Sequence, residues 1–112
     1  MPVITTLDIT DMPPREYRAV LEYMGVETRP APGIYLHLTT AMSFGYRVIE
    51  LWDRKEGFDE FLEKRLGPAT RALGIERQTV ITVTPLHNLF APRLSEIPGL
   101  VNGLPGAPAA RK

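Results

Sequence analysis

The chain holds few groups able to do chemistry: two histidines, four tyrosines, one tryptophan and no cysteine. Without cysteine there is no disulfide, thiolate nucleophile, iron–sulfur cluster or zinc ribbon. His37 is the sharpest candidate. It sits in the run Ile34–Thr40, where alternation places Tyr35, His37 and Thr39 on one strand face. In the following run, Gly45–Asp53, the same alternation groups Tyr46, Val48, Glu50 and Trp52. A hairpin turn centred near Met42–Ser43 puts Val48 opposite His37, with Tyr46 and Glu50 on the diagonals. An imidazole titrates in the physiological range, and a nearby carboxylate would orient it as a general base for a phenol or an acidic carbon.

Each candidate has a plainer competitor. His37 could be an internal histidine satisfied by a hydroxyl, and Glu50 its structural partner, since a buried carboxylate requires one. Trp52 at a strand end stacks on an aromatic ligand or simply anchors the sheet edge. His87 and Asn88 follow Pro85, which interrupts the strand parity, so they serve the site or close a turn. Tyr17 and Tyr23 read as packing residues on the first helix. His37, His87 and Glu50 lack a local ligand spacing such as H-x-x-x-H, so no metal is expected, and no Gly-rich phosphate loop or nucleophile elbow is present.

The elements that must position these groups follow from periodicity. Val3–Ile9 is a β-branched strand ended by Asp11-Met12-Pro13-Pro14. Pro14 suits a first helical position, and Tyr17, Val20, Leu21 and Met24 form one apolar helical stripe closed by Gly25. After a Pro-containing loop come the strands Ile34–Thr40 and Gly45–Asp53. Phe58, Phe61, Leu62 and Leu66 repeat the helical stripe from near Lys55, until Gly67-Pro68 interrupts it. A short helix Ala69–Leu73 and a last strand, Arg77–Thr84, complete the order β-α-β-β-α-β. That order predicts a ferredoxin-like α+β fold with a four-stranded antiparallel sheet and both helices on one face.

We expect the helices to cover a nearly aliphatic sheet face, formed by Val3, Leu7, Ile9, Ile34, Leu36, Leu38, Ile49, Leu51, Ile81 and Val83. The opposite face, with Tyr35, His37, Thr39, Tyr46, Glu50 and Trp52, mixes aromatic and polar groups in the manner of a cavity lining. A second copy of the sheet is the economical cover for it. Thirteen basic residues balance thirteen acidic ones, leaving no basic footprint for nucleic acid or anionic lipid. The charged run Asp53–Arg65 mixes both signs, as a solvated helix face does. No apolar run approaches membrane-spanning length and nothing N-terminal reads as a targeting segment, so a cytoplasmic protein is expected.

Proline and glycine make up twenty of the 112 residues, and seven of them lie after Ala91. Residues 1–90 therefore read as the folded domain, and 91–112 as an extended or disordered tail. Leu94, Ile97, Leu100, Val101 and Leu104 make that tail more apolar than a linker, so that it is suited to lie over another surface.

The segment Gly45-Tyr46-Arg47-Val48, followed by Trp52, a charged pair and the amphipathic helix through Phe61, resembles the G-[WY]-R-V-x-x-x-W signature of the dimeric α+β barrel proteins. That superfamily includes antibiotic-biosynthesis-type monooxygenases and polyketide cyclases. Leu66-Gly67-Pro68-Ala69 resembles the break after its helix, and His37 with His87-Asn88 resembles an actinobacterial-type branch. The resemblance covers roughly residues 2–90. It implies a homodimer whose sheets face each other, and a small organic ligand held between sheet and helices or within the barrel. The expectation is an enzyme acting by acid–base chemistry, without a bound cofactor, on an aromatic or polyketide-like compound. His37 is then the acid/base, Glu50 its orienter, and Tyr35, Thr39, Tyr46, Trp52, His87 and Asn88 the substrate contacts. The competing expectation is a non-catalytic binding or assembly module, to which the tail lends itself.

Overall fold

The computed structural model describes residues 1–108. Four antiparallel strands form one sheet in the order β2-β3-β1-β4: β1 (Val3–Thr10), β2 (Ile34–Met42), β3 (Gly45–Trp52) and β4 (Thr79–Pro85). The sheet topology is that of the ferredoxin-like α+β fold. Helix α1 (Pro14–Met24) starts on Pro14 and stops at Gly25, whose φ of 67° lets its N–H reach the Leu21 carbonyl. Its buried stripe is Val20, Leu21 and Met24.

The second helical region does not break at Pro68. Helix α2 (Lys55–Phe61) widens into a π-helical turn over Leu62–Leu66 and continues as α3 (Gly67–Ala72). A proline cannot donate to the preceding turn, and the wider turn carries the helical chain past this gap. Arg65 in that turn donates to the Met24 carbonyl at 2.7 Å, satisfying an end of α1. Trp52, Phe58 and Ala69 are almost wholly buried, and with Val3, Leu7, Val20, Leu21, Val48 and Phe61 they form the core between sheet and helices. Each large side chain there contributes about 1.5–3 kcal/mol of transfer free energy.

The expected division of the sheet faces is corrected by the register. Leu7 pairs with Val48 and Ile81, Thr5 with Glu50 and Val83, and Val3 with Trp52. On the other side of β3, His37 pairs with Glu50 and Thr39 with Val48. The aliphatic positions of β1 and β4 therefore share one face with the mixed positions of β2 and β3, and this face lies under the helices. The opposite face carries Ile4, Thr6, Leu36, Leu38, Ile49, Leu51 and Val80. Face membership across strands follows pairing, and composition within a strand does not determine it.

Two local features set that register. The hairpin turns at Ser43–Phe44, with Met42 paired to Gly45, which moves Glu50 rather than Val48 opposite His37. Gly45 has a φ of 143°, and a Cβ there would stand 2.1 Å from the Ile9 carbonyl oxygen, so only glycine permits this close approach of β1. A shift between Ile34 and Leu36 sets Tyr35 out of the ladder, leaving it 61% exposed.

The segment after β4 is neither strand nor simple coil. Short helical turns at Leu94–Glu96 and Val101–Gly103 flank a single helical turn, α4 (Ile97–Leu100). The last four residues of the expected tail lie outside the described residues.

Candidate active site

His37, Glu50 and Thr39 are brought together on the helix-covered face. His37 Nδ1 is 2.9 Å from Glu50 Oε2, and Trp52 Nε1 donates to Glu50 Oε1 at 3.1 Å. Glu50 is 4% exposed, so both carboxylate oxygens are satisfied by side chains that the sheet aligns for them. A carboxylate only accepts hydrogen bonds, so Nδ1 carries a proton, and in the neutral imidazole Nε2 then presents the lone pair. The His37 side chain keeps 32% of its surface exposed, which leaves the imidazole within reach of a small molecule.

Sequence reasoning missed the residue that meets this lone pair. Tyr17 lies on the stripe of α1 and reads as packing, yet its hydroxyl is 2.9 Å from both His37 Nε2 and Thr39 Oγ1. Thr39 Oγ1 is in turn 2.9 Å from His37 Nε2, closing a triangle of two hydroxyls and a ring nitrogen. The stripe gave no sign of this role, because only the crossing of α1 over β2 carries the phenol hydroxyl to a strand histidine. Burial raises the Tyr17 pKa above the usual phenol value, outweighing the opposing hydrogen bond of Thr39. Tyr17 is thus a protonated phenol at neutral pH.

Tyr46 packs on Tyr17 with ring centroids 5.2 Å apart and borders a shallow depression of about 330 Å³ that Met12, Pro13, Met42 and Phe44 also line. Trp52 is fully buried, tilted edge-on to Phe58 at 5.8 Å, and touches the site through its hydrogen bond to Glu50. Tyr35 lies outside the ladder and exposed. His87 and Asn88 are exposed in the coil after β4, where Asn88 Oδ1 accepts from the Leu89 N–H at 2.8 Å, and neither is hydrogen-bonded to the His37 group. Beside Glu50 on β1, Thr5 is fully buried and its hydroxyl has no partner among the described residues. Among the described residues, no three His, Cys, Asp or Glu side chains cluster as a metal site would require.

No protein-family profile matches the chain, and no curated protein does. Solved structures share its fold. SnoaB, a cofactor-independent oxygenase from Streptomyces nogalater, superposes with a TM-score of 0.56 at 15% identity, over 80% of this chain and 94% of its own. Rv0793 from Mycobacterium tuberculosis does so with a TM-score of 0.55 at 22% identity, over 82% and 99%. A Deinococcus radiodurans protein assigned as an antibiotic biosynthesis monooxygenase gives 0.57 at 18%, over 81% and 97%. The chain thus has the ferredoxin-like α+β fold of antibiotic-biosynthesis-monooxygenase-like proteins, with a His–Glu pair and a tyrosine in the layer between sheet and helices.

Proposed function

We propose that the protein is an enzyme that moves a proton on a small aromatic or polyketide-like molecule, using His37 as base without a bound cofactor. The observation that carries this reading is the chain of contacts from Glu50 through His37 to the Tyr17 hydroxyl. Glu50 fixes the tautomer and stabilises the imidazolium that forms, the role a carboxylate plays behind a catalytic histidine. A substrate proton passes to the Tyr17 oxygen while the Tyr17 proton passes to His37 Nε2, so the phenol is unchanged and the substrate is left as an anion. That anion is the species a cofactor-independent oxygenase would offer to oxygen, and equally one a cyclase would use. The likeness to SnoaB supports the oxygenase branch at the level of fold.

The test is α-proton exchange of enolisable ketones into deuterium oxide, followed by NMR, with oxygen uptake recorded in parallel. Wild-type protein should accelerate exchange, and His37→Ala should lose that acceleration while keeping its circular dichroism. Equal rates for a folded His37→Ala protein would sink the acid–base reading, and exchange without oxygen uptake would favour the cyclase-like branch.

A second reading, a binding or assembly module, draws on the exposed apolar side chains after β4. Phe90 is 85% exposed and Leu94 60%, a composition suited to a protein partner. We further propose that the protein pairs with itself through the sheet face bearing Leu38 and Val80, which are 55% and 59% exposed.

A further inference from the structure

We propose that Thr39 is the positioning residue of the relay: its hydroxyl donates to the Tyr17 oxygen and so keeps the Tyr17 proton directed at His37 Nε2. The proposal rests on the reading above for the relay itself, and its test needs no turnover. Alternation sets Thr39 two residues from His37 on the same face of β2, and α1 brings Tyr17 to both. Three contacts of 2.9 Å then join the Tyr17 hydroxyl, the Thr39 hydroxyl and Nε2. With Glu50 holding the proton on Nδ1, the neutral ring brings no proton to this triangle. Two hydroxyl protons serve three contacts, and one contact goes without.

Elementary chemistry decides which. Nε2 has a single lone pair, so it accepts fully from one hydroxyl. If both hydroxyls turned to it, two oxygens would stand 2.9 Å apart with no proton between them. One hydroxyl therefore donates to the ring, and the second donates to the first. A phenol is a stronger acid than an aliphatic alcohol and makes the stronger bond to the basic nitrogen. Tyr17 thus donates to His37, and Thr39 to Tyr17. The Thr39 bond occupies one lone pair of the phenol oxygen and leaves the other for the substrate. In the transfer, the substrate's bond to hydrogen breaks and its electron pair stays on the substrate. That proton bonds to the free lone pair of Tyr17, while the original phenol proton crosses to Nε2.

Ultraviolet titration of the tyrosines tests the direction of the Thr39 bond, with the Tyr17 phase assigned by its loss in Tyr17→Phe. Thr39→Val removes the hydroxyl and keeps the shape, Thr39→Ala removes it without added bulk, and Thr39→Ser retains it without the methyl. All are checked for fold by circular dichroism. The titratable and charged groups acting on the phenol are His37, Glu27, Arg18 and Tyr46, and none of the Thr39 variants alters them. A donor to the phenol oxygen favours its anion. We expect the Tyr17 phase to move to higher pH in Thr39→Val and Thr39→Ala, and to stay near wild type in Thr39→Ser. An unmoved phase in the folded valine and alanine proteins would overturn the proposal. So would a shift to lower pH, which would make Tyr17 the donor to Thr39. An equal shift in Thr39→Ser would assign the effect to the methyl and overturn it as well. Proton exchange of ketones is a separate measurement, so the acid–base reading and the role of Thr39 fail separately.

Discussion

His37 and Glu50 are direct cross-strand partners on β2 and β3, with Nδ1 2.9 Å from Oε2 beneath the helices. This pairing decides which nitrogen of the ring faces Tyr17. Replacing Glu50 with Gln offers Nδ1 an amide donor while the amide oxygen still accepts from Trp52. The proton should then move to Nε2 and the lone pair toward Tyr17 disappear. Nitrogen-15 NMR of the ring reads this directly: the Nδ1–H form in wild type, the Nε2–H form in Glu50→Gln. The same tautomer in both would show that Glu50 does not set it.

Tyr17 should ionise later than an ordinary phenol, because burial raises its pKa. The folded state then holds a proton that the unfolded state has already released above about pH 10. Folding stability is full below that value and falls as pH climbs toward the raised one. In an ultraviolet titration, Tyr17→Phe should remove the late phase. A late phase that survives in Tyr17→Phe belongs to another tyrosine.

Thr5 presents the reverse situation, a buried hydroxyl with no bond to lose. Thr5→Val keeps the shape and removes the unsatisfied group, so stability should hold or rise by about 1 kcal/mol. Urea denaturation measures it. A loss of 1 kcal/mol or more would mean that the hydroxyl is satisfied by a buried water or a bound molecule.

Acid sensitivity should trace in part to Glu16. Arg77 holds both its oxygens, at 2.8 and 2.7 Å, tying α1 to the approach to β4 and lowering the Glu16 pKa. A lowered folded value means that the stabilisation is present above the usual carboxylate pKa of about 4.3. It fades as pH falls through the folded one. Glu16→Gln should therefore be less stable at neutral pH and show a shallower decline on acidification. Parallel acid melting curves for the two proteins would contradict this.

Self-association has its own mutational test. Leu38→Asp places a charge in the centre of the sheet face away from the helices and should halve the mass measured by light scattering. A wild-type protein that is monomeric at every concentration would end the pairing proposal.

Much of this was legible in the residues. The stripe of Val20, Leu21 and Met24, the stop at Gly25 and the alternation around His37 and Glu50 are local signals, and local physics produces them. The nearness of Glu50 to His37 was readable only as a diagonal, because the turn lies one residue later than the alternation suggests and brings Glu50 directly opposite. Tyr17 was not, because its partner lies twenty residues away on another element and only the crossing of α1 over β2 joins them. Trp52 was placed at the ligand by its size and position, and the register sets it under Phe58 with its N–H on Glu50.

The sequence by itself determined the elements, their order and the limited chemistry available: histidine, tyrosine and carboxylate, with no thiol. Periodicity and turn residues act within a few positions, so they survive without a fold. The tertiary structure decided which strand faces meet the helices, and that moved the site from the open side of the sheet into the core layer. It also decided that the Tyr17 hydroxyl reaches His37 and Thr39. Both depend on pairings between distant segments, whose free energy is shared among many contacts and written in no single stretch of chain.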